Sequence, residues 1–324
     1  MESDNQIVST FSQPLWSDIQ NTETFPVKRP LLAHYTSIAN LECIMASNEV
    51  WFSNPLYMND LEELRFGVLE GAQAFRQSEV IESACGSSER YNKLLHAFEY
   101  QLDQFSNKHA FDTYVFCLSE HDHENTDGLL SMWRGYGGSG NGAAIVFDTA
   151  QLNYADGSPL IIANVTYASR DERLQWIDGK LSVFANLLRN NDVPDEKLYL
   201  PACALFERFK IFSIFTKHHG FSEEKEWRAV YLRERDRDKK MEDMLSYAVG
   251  RRGVEPKLKL KIRPIEGLTA DDLSLEKIVH QIILGPSVSS PLAVSAVRRM
   301  LEKVGKHGLT SKLIASTTPL RSVY

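Results

Sequence analysis

The run Glu224-Lys225-Glu226-Trp227-Arg228 carries two carboxylates to the edge of an apolar stretch, Ala229-Val230-Tyr231-Leu232. A carboxylate entering a strand beside an aromatic ring and an arginine is either half of a buried ion pair or a catalytic acid held in place by that arginine. Two further segments concentrate polar groups. His34-Tyr35-Thr36 places an imidazole, a phenol and a hydroxyl together at the end of the apolar run LLAHYTS. The stretch from Trp51 to Asp60, WFSNPLYMND, is followed by Glu63 one helical turn on. A lone histidine on a strand is usually a satisfied core residue, but here its neighbours make that strand end polar.

Other arrangements are less specific. His121-Asp122-His123 sets a carboxylate between two imidazoles, as some divalent-ion sites do, but the spacing is not diagnostic and a third ligand would have to come from elsewhere. His218-His219 reads as surface. Gly137 to Gly142, GGSGNG, is rich in glycine but precedes a strand, the wrong context for a dinucleotide fingerprint, and reads as a turn. Walker A, HExxH, GxSxG and DxDxG motifs are absent.

The elements that must position these groups follow from periodicity. LLAHYTS reads as a buried strand. Residues 38–47 read as a helix with Ser37 as N-cap and Ile38, Leu41, Ile44 and Met45 on one face. EVWFS is a strand broken at Asn54-Pro55. Asp60 opens a further helix, and a largely helical stretch follows to about Phe111. Strands are expected over residues 113–120, 143–148 and 226–232, with residues 160–168 as a hairpin partner of 143–148 and helices over 171–216. A short helix covers residues 129–137. Residues 233–256 read as a basic, polar excursion and LKLKIRP as an edge strand. Strand, helix, strand closes the chain, with Pro291 near the helix start and Gly305 near its end. Strands are short and there is no regular βαβ alternation, so the expected class is α+β, with mixed or antiparallel sheets and helical insertions. Residues 1–30 read as a flexible arm, and residues 31–324 as one elaborated domain.

The composition is that of an ordinary globular chain: 324 residues, 43% hydrophobic and 24% charged. The N-terminus has no basic and apolar signal-peptide pattern, and no run reaches membrane-helix length, so a cytoplasmic location without membrane contact is expected. Cys43, Cys85, Cys117 and Cys203 form no CxxC pair and read as reduced thiols. The net charge of −7 is uneven: residues 1–150 hold 8 Lys and Arg against 21 Asp and Glu, and residues 151–324 hold 28 against 22. The basic excess lies between Glu207 and Arg263. It suits either a phosphate backbone or a solvated face of mixed ion pairs.

Taken in order, His34-Tyr35-Thr36, WFSNPLYMND with Glu63, CLSE, Met132 to Gly137, Gly142 to Phe147, EKEWR and ILGP resemble a bacterial family of unknown function, domain of unknown function 2971. The similarity covers about residues 31–290. That family in turn resembles a remote branch of the ADP-ribosyltransferase superfamily, several of whose members are phage-defence or toxin–antitoxin effectors. The resemblance implies a split-sheet core and NAD as co-substrate. It implies catalytic roles for Glu226, His34 and Tyr35, with Glu226 binding the ribose hydroxyl and steadying an oxocarbenium-like state. It implies that His34 and Thr36 line the NAD side, that Tyr35, Tyr136 or Trp133 stacks on nicotinamide, and that Ser53 or Ser119 orients the glutamate. Arg228 would meet the pyrophosphate or pair with Glu224 or Glu226. Asn59, Asp60 and Glu63 would shape the acceptor side. A macromolecular acceptor is expected, nucleic acid (RNA among them) through segment 207–263 ahead of protein, with a neutralising antitoxin as partner. The sequence departs from the superfamily in lacking an unambiguous second-strand tyrosine. The alternatives are a metal-dependent nuclease or other hydrolase using His34, Asp60, Glu63 and the HDH loop, and a non-catalytic sensor or interaction module.

Overall fold

The computed structural model describes residues 2–19, 24–58, 61–153, 155, 157–250 and 253–320, the side chains of 2–3 and 61–65 excepted. The chain is a mixed α+β protein whose backbone contacts divide it into two compact units. One comprises Met1–Asn21, Asn54–Thr113 and Val165–Phe221; the other comprises Thr22–Ser53, Tyr114–Asn164 and Ser222–Tyr324. One domain is expected from residue 31 onward; the two units interleave along the chain.

The second unit is built on a sheet of ten described strands. In chain order they are β1 (Leu31–Ser37), β2 (Glu49–Ser53), β3 (Thr113–His121), β4 (Gly142–Asp148), β5 (Leu160–Asn164), β8 (Glu226–Leu232), β9 (Leu245–Gly250), β10 (Gly253–Lys261), β11 (Val279–Leu284) and β12 (Leu313–Ala315). The main path runs β12-β11-β4-β1-β3-β2-β10-β9, with β8 between β3 and β5. Only β11 and β12 pair in parallel on that path. Strand β1 pairs with β4 along its whole length, from Leu31 opposite Asp148 to Ser37 opposite Gly142. With β3 it pairs only over Leu31–Ala33. Beyond that point β3 is joined by β2, at Ser53 opposite Val115. The sheet therefore forks along β3, between β1 and β2.

Helix α2 (Ile38–Ser47) follows β1 directly. The Ser37 hydroxyl accepts from the Asn40 backbone N–H, and Asn48 ends the helix in the left-handed conformation. Its buried face, Leu41, Ile44 and Met45, joins Leu32, Phe52, Phe116 and Trp227 in the larger core. Helix α6 (Leu130–Gly135) packs Met132 and Trp133 on the opposite face with Leu31, Ala33 and Tyr35. Helices α9 (Leu275–Ile278) and α10 (Pro291–Lys303) complete this unit, with Pro291 in the first turn of α10 as its sequence implies.

The first unit holds helices α1 (Glu2–Leu15), α3 (Leu61–Arg76), α4 (Glu79–Cys85), α5 (Ser88–Gln104), α7 (Arg170–Asn190) and α8 (Tyr199–Ile214), and the parallel pair β6 (Thr166–Ala168) and β7 (Thr216–His218). Helix α3 lies close on α8: a Cβ on Gly67 would stand 2.2 Å from the Ser213 hydroxyl.

Four expectations need correction. The N-terminal arm contains α1, whose Phe11 and Leu15 are fully buried. Residues 160–168 do not pair with β4: β5 pairs with β8, and β6 belongs to the other unit. The excursion at 233–256 contains β9. Segment 258–261 is no edge, because β10 has β2 on one side and β9 on the other. Its alternation reports one polar face rather than an open edge.

Candidate functional site

All seven residues of β8 are buried, although the strand opens on Glu226 and includes Arg228. The two are two positions apart on one strand and share a face. Arg228 Nε donates to Glu226 Oε1 at 2.8 Å and Nη2 donates to Oε2 at 3.1 Å. This is a two-pronged, charge-assisted pair at 4% and 5% exposure. It makes Glu226 a partner of Arg228.

The turn that delivers Glu226 is pinned at several points. Lys225 adopts a left-handed conformation with φ of 44°, uncommon for a residue with a side chain. Its backbone N–H donates to the Ser222 carbonyl at 3.2 Å, and its carbonyl accepts from Glu120 N at 2.8 Å. The buried Ser119 hydroxyl donates to the Glu224 carbonyl at 2.6 Å. Ser119 thus positions the turn that carries the glutamate. The Tyr136 hydroxyl donates to Glu224 Oε1 at 3.0 Å.

Register assigns each candidate to a face of the sheet. Ala33 lies opposite Ser119, and Leu32 opposite Glu120. Trp227 Nε1 donates to Glu120 Oε2 at 2.9 Å, which puts Trp227 on the Leu32 face. Glu226 and Arg228 therefore lie on the Ala33 and Ser119 face, by strand alternation. Tyr35 and Ser53 lie on that face too, Ser53 because its partner Val115 is four residues from Ser119. His34 and Thr36 belong to the other face. The structure thus brings Glu226, Arg228, Ser119, Ser53 and Tyr35 to one side of the sheet and leaves His34 and Thr36 on the other.

His34 fills the fork where β1 leaves β3. Its Nδ1 donates to the Cys117 carbonyl at 3.1 Å, and its ring lies 4.4 Å from that of Phe116. Burial holds the imidazole below its usual pKa, against the opposing pull of the Cys117 carbonyl. Thr36 accepts from Asn40 Nδ2 at 3.0 Å. Tyr35 accepts from Leu129 N at 2.8 Å, and burial pushes its pKa up to about 12. Tyr35 also meets Trp133 edge to face at 4.8 Å. A Cβ on Gly128 would come within 3.0 Å of both aromatic side chains, so glycine is required where they meet. Trp133 is fully buried and donates to the Asp127 carbonyl at 2.8 Å. It has no open ring face to offer a ligand, whereas Tyr136 is 48% exposed.

Asn59 and Asp60 lie outside the described residues. Glu63 falls within α3, with its side chain outside them. In the HDH loop, His121 is buried with its Nε2 3.2 Å from Gln281 Nε2, while His123 meets His280 edge to face. Among the described residues no group of three or more His, Cys, Asp or Glu is arranged to hold a metal ion. No described helix is long and apolar enough to cross a membrane.

Sequence reasoning passed over Lys257, whose ammonium donates to the Ser53 hydroxyl at 2.9 Å and pairs with Glu255 at 3.1 Å. It also passed over Trp51 as a site residue. The readable signal was period two: residues 49, 51 and 53 of β2 face 261, 259 and 257 of β10.

Residues 132–229 match the sequence model of a family described as a protein of unknown function (DUF2971). This stretch, from α6 to the middle of β8, is under a third of the chain and includes Tyr136, Glu226 and Arg228. Neither a curated protein nor a solved structure matches the chain.

Proposed function

We propose that the protein is an NAD-dependent ADP-ribosyltransferase acting on a macromolecule, with Glu226 as its essential carboxylate. The observation that carries this reading is the buried Glu226–Arg228 pair at the start of β8. Breaking the bond from ribose to nicotinamide leaves the electron pair on nicotinamide and develops positive charge on the sugar. A carboxylate fixed in a dry setting stabilises that charge without reorganising. Arg228 holds Glu226 fixed in rotamer. Ser119 and the left-handed Lys225 hold the turn before it. Tyr136 offers an exposed ring beside Glu224 for the nicotinamide. The forked sheet also fits the split core that the family resemblance implies. NAD supplies the ADP-ribosyl group and nicotinamide as leaving group; the acceptor's nucleophile takes the ribose carbon and loses its proton. An enzyme with this activity consumes its host's NAD, which suits an effector restrained by a neutralising partner.

The test is to incubate the purified chain with adenosine-labelled NAD and, separately, RNA, DNA and cell protein, followed by mass spectrometry. Release of nicotinamide with label on one acceptor class is the expected result. Release without transfer overturns the transferase and leaves an NAD hydrolase. Neither, from folded protein, overturns both.

A further inference from the structure

We propose that the β2–β10 face beside Glu226 is a binding lane for single-stranded nucleic acid, the acceptor class of the reaction proposed above; the inference rests on that reaction only for what is done to the bound strand. Lys257, Lys259 and Lys261 occupy alternate positions of β10, so all three ammonium groups share one face over about 13 Å. Opposite them stand Ser53, Trp51 and Glu49. Trp51 is 43% exposed, an unusual setting for the largest apolar side chain, and it is held in place. Its indole N–H donates to Glu49 Oε2 at 3.2 Å, and Lys259 Nζ lies 4.4 Å from the ring centroid. An oriented, exposed indole set among lysines is what a sequence-tolerant single-strand site needs: a stacking surface for a base and cations for the backbone.

The lane joins the candidate site. Trp51 and Ser53 share a face with Val115 and Ser119 on β3, and β3 is flanked by β8. With strands about 4.8 Å apart, Trp51 and Glu226 lie on the order of 15 Å from one another on the same face, the reach of a few nucleotides. Charge complementarity favours a polyanion. From Leu245 to Arg263 the chain holds Arg251, Arg252, Lys257, Lys259, Lys261 and Arg263 against Glu255 alone, within a protein of net charge −7.

The test uses the full chain without NAD and a fluorescent twelve-nucleotide oligouridylate, with binding read by anisotropy across a salt series. Binding that weakens linearly in log salt is expected. The pair Lys259→Glu/Lys261→Glu should weaken it more than tenfold, Trp51→Ala about five- to fiftyfold, and Trp51→Phe by less. Equal affinity for a twelve-base-pair duplex overturns the proposal. So does equal affinity for polyglutamate, or binding indifferent to Trp51, either of which marks a site for an acidic protein or a general polyanion. No binding at low salt overturns it as well. Because the assay contains no NAD, loss of the lane and loss of the transferase reading are separate results: a strand that binds without being modified counts only against the chemistry.

Discussion

Each unit holds buried ion-paired side chains, and the bonds described in the two differ in reach. In the first unit Asp18 receives Lys180 at 2.8 Å, Arg208 at 2.9 Å and the Trp176 indole at 2.8 Å. Lys180 and Arg208 also donate to the Leu15 carbonyl at the end of α1. Arg208 lies over the rings of Trp16 and Trp176, and Trp176 stacks on Phe212. These bonds join three segments that are far apart in sequence. In the second unit Arg228 grips Glu226 two residues away on the same strand. That bond lies within one strand, and it carries the same kind of desolvation cost. The first arrangement accounts for itself as architecture. The second joins neighbours on one strand, and the function proposed for Glu226 is a reason to keep that carboxylate dry and fixed.

That contrast can be broken by mutation. Asp18→Ala leaves two cations at 8% and 5% side-chain exposure without their carboxylate. Asp18 itself is about a third exposed, so the expected loss is about 2–3 kcal/mol, below that of a fully buried pair. The measurement is the urea midpoint, with proteolysis reporting release of α1. Replacing both Glu226 and Arg228 by Leu and Met removes the pair together, so it should cost less stability than Asp18→Ala, while NAD cleavage disappears. A double variant as damaged as Asp18→Ala removes the distinction between the two networks.

Acid should act on the fork as well. Burial holds His34 below its ordinary value of 6.5, so the unfolded chain takes up this proton at a higher pH than the folded one. The stability that neutral His34 contributes is present above that value and is lost as pH falls through the lower folded value. Urea midpoints followed from neutral pH down to about pH 5 should decline, and His34→Gln should flatten part of the decline. An unchanged slope refutes the assignment of His34 to the fork.

The smallest effect is expected at Tyr136. Tyr136→Phe removes the bond to Glu224 but keeps the ring. It should raise KM for NAD about two- to fivefold with kcat little changed, as loss of one neutral-to-charged hydrogen bond at a half-exposed site does. A fall in kcat alone places the hydroxyl in the transition state.

The sequence made the local elements legible and much of their assembly illegible. Strand β1, its Ser37 cap and α2 follow from periodicity and capping, and the structure has them at the residues expected. The charged opening of β8 was readable, and so was the choice between an ion pair and a catalytic acid. Helix α1 was not: its sequence is polar, contains Pro14, and is held by Lys180 and Arg208 from 165 and 193 residues away. Strand β9 was hidden in a short run with serine and glycine beside basic residues. The separation of His34 from Glu226 was hidden for a different reason. Alternation within β1 was plain, but only the Leu32–Glu120 register and the Trp227 bond to Glu120 fix which side β8 shares with it. Trp133 and Tyr136 looked equivalent in sequence, and burial alone tells them apart.

The central claim is that the Glu226 carboxylate acts on a developing positive charge. It is tested most directly by nicotinamide release from NAD by the native chain and Glu226→Gln, with matched circular dichroism spectra and urea midpoints. The account predicts a fall of about 10²–10³ in turnover with NAD affinity kept within about tenfold, since the charge acts mainly in the transition state. Turnover by Glu226→Gln at the native rate would contradict it.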